Sequence, residues 1–305
     1  MPHRTPPHSR NTPPKHAKPT APRSAPQQPP TPRPIPPIPT PRPAIAFDFR
    51  ALAPLETPAT FIERARSLGI EFDGDDTQRL GKFLAALITA NEQVNLTAIT
   101  DPPQAWDRHI LDSLTLMGVL ADLPDGARLI DVGTGGGLPG IPLAICMPHL
   151  QFTLLEATGK KIEFLRAVVE WLALKNVTVV QGRAESIAHD RGERGPAGAA
   201  RSGGHREQYD AVLARAVGRI AMLAELTVPL AKVGGMVVFI KGAKAQEELD
   251  EAKESLHLLK AVATQTIPTP TGTIVVLDKQ SATPRTYPRA DGEPARSPLG
   301  VRKQR

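Results

Sequence analysis

Residues 129–140 read LIDVGTGGGLPG: an apolar strand, an acid at Asp131, and then a turn carrying Gly133, Gly135 and Gly137. Glycines spaced this way let the backbone turn sharply and press against a ligand, because no Cβ stands in the way. A strand running into such a turn commits the chain to an α/β architecture. It also locates the site, since ligands in open α/β sheets bind beyond the carboxyl ends of the strands. The next apolar run, QFTLLE, ends in Glu156, 25 residues after Asp131. An acid there stands where a ribose diol needs a hydrogen-bond acceptor.

The pattern downstream supports the same architecture. Apolar runs RLIDV, QFTLLE, VTVVQG, YDAVLARA and GGMVVFIKG alternate with amphipathic stretches over 140–147, 159–173, 218–231 and 244–259. In the second of these, Ile162, Leu165, Val169 and Leu172 form the stripe to be buried. A final strand, TIVVLDK, follows the turn TPTG and reads as one antiparallel strand near the edge. Short apolar strands alternating with helices specify a mainly parallel sheet covered on both faces. Residues 45–120 read as a helical region ahead of the sheet, and 121–280 as the main α/β domain. Within the helical region Leu80, Phe83, Leu84, Leu87 and Ile88 share one face. Asp101 caps a second helix with Pro102 at its first position and Trp106, Ile110, Leu114 and Met117 on its apolar side.

Other segments look like additions. Residues 1–44 hold 17 prolines, seven Lys or Arg, three His and no acid, which reads as a disordered, basic, extended arm. The formal charge of +6 is therefore carried by the arm, and residues 45–305 sum to about −1. Nucleic-acid binding has to be argued from local basic positions rather than from the net charge. Residues 190–207, with five glycines and one proline, read as a flexible surface insert, and 281–305 as a basic, partly ordered tail. A single cysteine, Cys146, excludes an internal disulfide and a thiolate metal cluster, and no metal is expected. No apolar run approaches the roughly 20 residues that span a bilayer. A cytoplasmic enzyme is the plain expectation.

The glycine turn admits three ligands. A triphosphate-gripping loop would end in Gly-Lys-Ser or Gly-Lys-Thr, and this one ends in Leu138-Pro139-Gly140. A dinucleotide loop fits the acid at the end of the second strand, but its usual spacing is Gly-x-Gly-x-x-Gly. S-adenosylmethionine fits best. The glycines would contact its amino-acid part and Glu156 would accept from its ribose, while Ala184-Glu185, after the third strand, stands where adenine is held. Arg215 ends the fourth strand over the same cleft.

Which methyl acceptor such a site serves depends on what chemistry the chain can supply. Exocyclic amines of bases commonly need an Asp/Asn-Pro-Pro-aromatic loop after the fourth strand, and here Arg215-Ala216-Val217-Gly218 follows instead. Methylation at C5 of a pyrimidine needs a cysteine nucleophile, and Cys146 lies in the packing run IPLAICM. N7 of guanine needs neither device, because it presents an in-plane lone pair and carries no proton. An enzyme for that atom must align it with the methyl–sulfur bond and exclude water. An Arg or Lys on O6 would select the base. Three other classes stay open on the residues alone: a small-molecule S-adenosylmethionine methyltransferase, a nonenzymatic RNA-binding protein and a nicotinamide-dependent oxidoreductase.

Several separated strings resemble the bacterial small-subunit ribosomal RNA guanine-N7 methyltransferases, the glucose-inhibited division protein B family. They are NEQVNLTAIT (91–100), RHILDSL (108–114), LIDVGTGGGLPGIPLAI (129–145), the Lys160-Lys161 pair, Arg215, FIKG (239–242) and YPRADGEPARSPL (287–299). Their order and spacing over roughly residues 60–299 carry the resemblance. It implies a class I S-adenosylmethionine-dependent methyltransferase fold, Rossmann-like, with a mainly parallel seven-stranded sheet and an N-terminal helical extension. It implies a guanine in 16S ribosomal RNA as target, met in a 30S particle or assembly intermediate by a monomer. It further implies that Gly133, Gly135, Gly137, Leu138, Glu156, Ala184, Glu185 and Arg215 hold the methyl donor. Arg215 and His109 would position substrate at the reacting centre, with His109 otherwise bonded to a neighbour such as Ser113. Asn95, Arg108, Lys160, Lys161, Arg166 and Lys241 would face RNA.

Overall fold

The computed structural model describes residue 3 and residues 45–193, 203–215 and 218–301. The expectations for the proline-rich arm lie outside these residues, as do those for 194–202 and for the last four residues.

Among the described residues seven strands form one sheet: β1 (Arg128–Val132), β2 (Gln151–Glu156), β3 (Val177–Gln181), β4 (Tyr209–Arg215), β5 (Ala231–Lys241), β6 (Ala261–Thr269) and β7 (Gly272–Lys279). Their order is β3-β2-β1-β4-β5-β7-β6. The pairs β1–β2, β1–β4, β2–β3 and β4–β5 are parallel, while β7 is antiparallel to both β5 and β6. The antiparallel strand is thus the last in sequence but the penultimate in space. Residues 270–271 turn the chain so that β7 slots between β5 and the edge strand β6.

Each face of the sheet has its own core. One is built from Leu129, Leu154, Leu213 and Val238 under helices 76–91, 140–146 and 159–171, and the N-terminal helical region belongs to this layer through Phe61, Leu84, Trp106 and Leu114. The other is built from Ile130, Leu155, Val212 and Phe239 under helices 220–227, 245–251 and 253–259. Burial of fully apolar strands on both faces is what a parallel sheet requires.

Four boundaries differ from the sequence reading. Residues 45–58 are not helical: Pro54 and Pro58 interrupt them, and Phe47 and Phe49 lie against Phe164, with Phe49 also 5.4 Å from Trp171. The amphipathic stretch 244–259 is two helices joined at Ala252, whose N–H is shared between the carbonyls of Glu248 and Leu249. The described end of the insert, residues 203–207, is not a loose loop. Arg206 is 4% exposed and donates to four backbone carbonyls, and Glu207 accepts from the buried Lys279 at 2.8 Å. The tail packs through Val301, with Ser255 donating to the carbonyl of Leu299 and Arg289 to the buried Glu225. Among its described charges, Arg289 is paired with Glu225 and Asp291 with Arg183.

The helix capped by Asp101 forms as expected, with the carboxylate accepting from the Gln104 N–H at 3.2 Å and Pro102 opening the helix. It then widens into a π turn over Trp106–Leu111, which carries Arg108 and His109. Such wide turns re-aim side chains that an ordinary helix would stagger differently.

Candidate active site

The parallel register sets the site residues side by side. Val132 pairs with Leu155, Asp131 with Leu213, Glu156 with Gln181 and Arg215 with Ile240. With neighbouring strands about 4.8 Å apart, the carboxyl edge carries Glu185, Glu156, the glycine turn, Arg215 and Lys241 in that order.

The glycine turn is held from below. Gly133, Gly135 and Gly137 have φ of +71°, +59° and +89°, a region that side chains disfavour. The N–H groups of Gly133 and Thr134 donate to the Leu155 carbonyl, at 2.9 and 3.1 Å, which ties the turn to β2. Asp131, 1% exposed, accepts through Oδ2 from the Thr134 hydroxyl (2.6 Å) and the Gly140 N–H (3.0 Å). Its Oδ1 is buried with no partner among the described residues. Burial pushes the Asp131 carboxyl up to about 6; the Thr134 and Gly140 bonds and the Arg215 charge pull the other way, and the Glu156 charge adds to the rise. Gly136 leaves no room for a side chain, since a Cβ there would lie 2.6 Å from Leu87 Cδ1 and 3.4 Å from Leu96 Cβ. The segment 92–101 therefore rests directly on the glycine turn. Asn91 shapes that segment by accepting from the N–H groups of Leu96 and Thr97.

Glu156, 8% exposed, takes the Gly135 N–H on Oε2 (3.2 Å) and the Thr158 N–H on Oε1 (2.8 Å). Both oxygens are oriented by the backbone and each keeps a further lone pair. Ala184 is half-buried at the start of the short helix Ala184–Ile187. Glu185 is 6% exposed, with Oε1 accepting from the Gly292 N–H at 2.9 Å. Leu138 is buried beneath the turn.

On the other side of the glycine turn lies a cleft of about 600 Å³, lined among others by Arg108, His109, Asp112, Arg215, Lys241 and Thr271. Arg215 donates to the Arg108 carbonyl (3.0 Å) and to Asp112 Oδ2 (3.2 Å). The Thr271 hydroxyl donates to the other oxygen of Asp112. Lys241, 8% exposed, donates to the Gly218 carbonyl at 2.5 Å and pairs with Glu248 at 2.7 Å. It forms part of the cleft wall, not a free cation on the surface.

His109 is buried, and its ring does not meet Ser113 as expected. The Ser113 hydroxyl bonds the backbone carbonyl of His109 instead (2.6 Å). The ring Nε2 lies 2.8 Å from Thr97 Oγ1 and 3.2 Å from the Ile99 carbonyl, while Nδ1 is buried without a partner among the described residues. Burial, reinforced by the Arg215 charge, lowers its pKa, so the imidazole is neutral at pH 7. The Cys146 thiol is pushed far up by burial, which suits packing and not attack.

The structure thus brings Arg108, His109, Arg215 and Lys241 to one cleft. Lys160, half-buried Lys161 and Arg166 lie on helix 159–171 beyond Glu156, and Asn95 is exposed on the segment over the glycine turn. Four residues of the site escaped the sequence reading as site residues: Thr97, Asp112, Thr134 and Thr271. Asp112 carried a signal, four residues after Arg108 on a helical stretch, but its partner lies far along the chain. Among the described residues no group of three His, Cys, Asp or Glu is placed to hold a metal, and no helix is long and apolar enough to cross a membrane.

A family model described as rRNA small subunit methyltransferase G matches residues 76–273. The ribosomal RNA small subunit methyltransferase G of Sorangium cellulosum is 47% identical over 235 residues, covering 77% of this chain and 93% of the relative. The chain belongs to this family. A second member, from Leuconostoc citreum, is 38% identical and covers 80% of this chain and 99% of its own length. As a small-subunit rRNA methyltransferase, the protein transfers a methyl group from S-adenosylmethionine to N7 of a guanine in 16S ribosomal RNA. The matched span of this methyltransferase holds the glycine turn, Glu156, Glu185, Arg215 and the whole lining of the 600 Å³ cleft.

Proposed function

We propose that the methyltransferase works by alignment, without a general base. The observation that carries this is the state of the acids in the cleft. Asp112 is paired with Arg215 and Thr271, and Glu248 is paired with Lys241 and accepts from the Ile220 N–H. Both are engaged in holding cations of the cleft wall, and N7 of guanine carries no proton to be removed.

The residues of the carboxyl edge fit S-adenosylmethionine. When bound, it supplies an electrophilic methyl on a sulfonium. Gly133, Gly135, Gly137 and Leu138 line its amino-acid part, and the turn at Gly135 opens outward, with only the Gly133 carbonyl within 4 Å of a would-be Cβ. Glu156, oriented by two N–H groups, has the lone pairs a ribose diol needs. Ala184 and Glu185 hold adenine. Arg215, locked to Asp112 and to the Arg108 carbonyl, stands between the donor and the cleft and presents its remaining N–H groups to O6 of guanine. His109, neutral and anchored to Thr97 and Ile99, fixes the wall opposite. Its role is positioning.

RNA is gripped at the cleft, where Arg108 lies, and on the surface beside it. Exposed Asn95, Arg108, Lys160 and Arg166, with half-buried Lys161, offer donors and charge for phosphates, which position RNA without reading its sequence. Lys241 shapes the cleft instead. The substrate is the 30S particle or an assembly intermediate, and the protein acts as a monomer in the cytoplasm.

The test is to expose 30S particles and free 16S RNA, both from an unmethylated source, to the enzyme with labelled methyl donor, and to map the product. Label on N7 of one guanine, at a higher rate in the particle, is the expected result. Label on another atom would end this reading, and faster transfer to free RNA would remove the particle as substrate.

A further inference from the structure

Arg206 anchors a set of long-range contacts whose acceptors all lie outside the strands of the sheet. Its Nη1 donates to the carbonyls of Ala188 (2.9 Å) and Tyr287 (2.8 Å), and its Nη2 to those of Thr283 (2.9 Å) and Pro284 (3.2 Å). One guanidinium thereby staples the C-terminal segment to the stretch that follows β3. Further contacts continue along the same seam. His189 Nε2 lies 2.7 Å from the Pro288 carbonyl, and Ser186 donates to Asp291 Oδ1 at 3.3 Å. Arg183 Nε stands 3.3 Å from Asp291 Oδ2, and the Gly292 N–H donates to Glu185 Oε1 at 2.9 Å. On its far side the segment is fixed by Arg289, whose fork takes both oxygens of Glu225, a carboxylate with a fully buried side chain.

These bonds land on Arg183, Glu185, Ser186, Ala188 and His189. Two of the residues proposed to hold adenine, Ala184 and Glu185, lie inside that stretch. The Glu185 carboxylate spends Oε1 on the tail and on Arg183, while Oε2 takes no bond among the described residues. Gly292 is suited to the approach. Its φ of +74° disfavours any side chain, and a Cβ would come within 3.0 Å of Arg296 Nη1.

We propose that residues 283–292 are a strap that positions Glu185 for the adenine of the methyl donor, with Arg206, Asp291 and Gly292 as its positioning residues. The inference rests on the assignment of adenine to Ala184 and Glu185. A carboxylate pre-set by the strap loses less freedom when the ligand arrives, which raises affinity without adding a contact. The coupling is reciprocal: donor binding tightens the strap as much as the strap tightens donor binding.

The experiment uses the full chain and S-adenosylhomocysteine, which has no methyl to transfer, in calorimetric titrations. Three variants are compared with the parent: Glu185→Ala, Asp291→Ala and Arg206→Lys. Asp291 is about half exposed at its side chain, so its loss leaves the fold intact. Asp291→Ala is expected to weaken binding about fivefold, the effect of roughly one net hydrogen bond, at an unchanged melting temperature. Amide exchange over residues 183–189 in the ligand-free protein should rise in both Asp291→Ala and Arg206→Lys. A purely structural tail would leave affinity and local exchange alone wherever melting is unchanged. Weakened binding in Glu185→Ala alone, with the other two at parental affinity, overturns the strap and leaves the adenine assignment standing. Parental affinity in Glu185→Ala removes that assignment, and the strap falls with it.

Discussion

Arg215, the last residue of β4, stands 3.2 Å from Asp112, 103 residues earlier in the sequence. The pair joins the carboxyl edge of the sheet to the wide helical turn that carries Arg108 and His109. Side chains of both are largely buried, at 16% and 10% exposure. A partly desolvated pair of this kind is costly to halve, because the partner left behind is an uncompensated charge.

Replacement of Arg215 by alanine should lower kcat/KM for RNA by about 100-fold, the scale set by losing a fixed electrostatic group at a reacting centre. Asp112→Ala should cost a similar factor, since Arg215 then loses its anchor. The double variant should be little worse than the worse single one, as residues acting through one contact are not additive. Multiplying losses in the steady-state rates would show that the two act separately.

The sheet was legible in the sequence where burial alternates with loops. The apolar runs ending in Asp131-Val132, Glu156, Gln181 and Arg215 are β1 to β4, and the glycine turn and Glu156 lie together on the carboxyl edge. What was not legible depends on distant partners. Ser113, one turn from His109, looked like the ring's partner by helical spacing, yet Thr97 on another segment takes the ring. Residues 203–207 looked like a loop from their glycines, but the four carbonyls that bury Arg206 include three beyond residue 280. The place of β7 between β5 and β6 is likewise a matter of pairing across the fold.

Asp131 should make stability fall as pH rises. Its carboxyl is held up to about 6, above the ordinary 3.8, so the folded state binds the proton more tightly than the unfolded chain does. That contribution is fully present below about pH 4 and is lost by about pH 6. The shift corresponds to roughly 3 kcal/mol. Asp131→Asn, whose amide oxygen can still accept from Thr134 and Gly140, should remove this slope. Chemical denaturation at pH 4, 5 and 6 measures it, and an equal slope in both proteins would place the titration elsewhere.

His109 should oppose that trend over a neighbouring range. Its pKa is lowered, first by burial and then by Arg215, so the unfolded chain takes up the proton more readily. The stability this confers is complete above the unfolded value of about 6.5, and it is lost as pH falls through that value toward the folded one. His109→Gln should flatten the loss. If His109 acts by position, the variant's rate falls while the shape of its pH–rate profile stays parental. Loss of a limb from that profile would instead make His109 a proton carrier.

The N-terminal arm is expected to bear on binding and not on transfer. Seven cations and no acid over residues 1–44 are expected to act as an electrostatic tether for RNA, and such attraction weakens with the logarithm of salt because releasing counterions into a more concentrated solution gains less entropy. Deleting residues 1–44 should therefore raise KM for the ribosomal substrate at low salt and leave turnover at saturation unchanged. The gap between truncated and full-length protein should close as salt is raised, because the term that distinguishes them is screened. Rates measured across a salt series decide it. A fall in saturated turnover that persists at high salt would mean that the arm reaches the reacting centre.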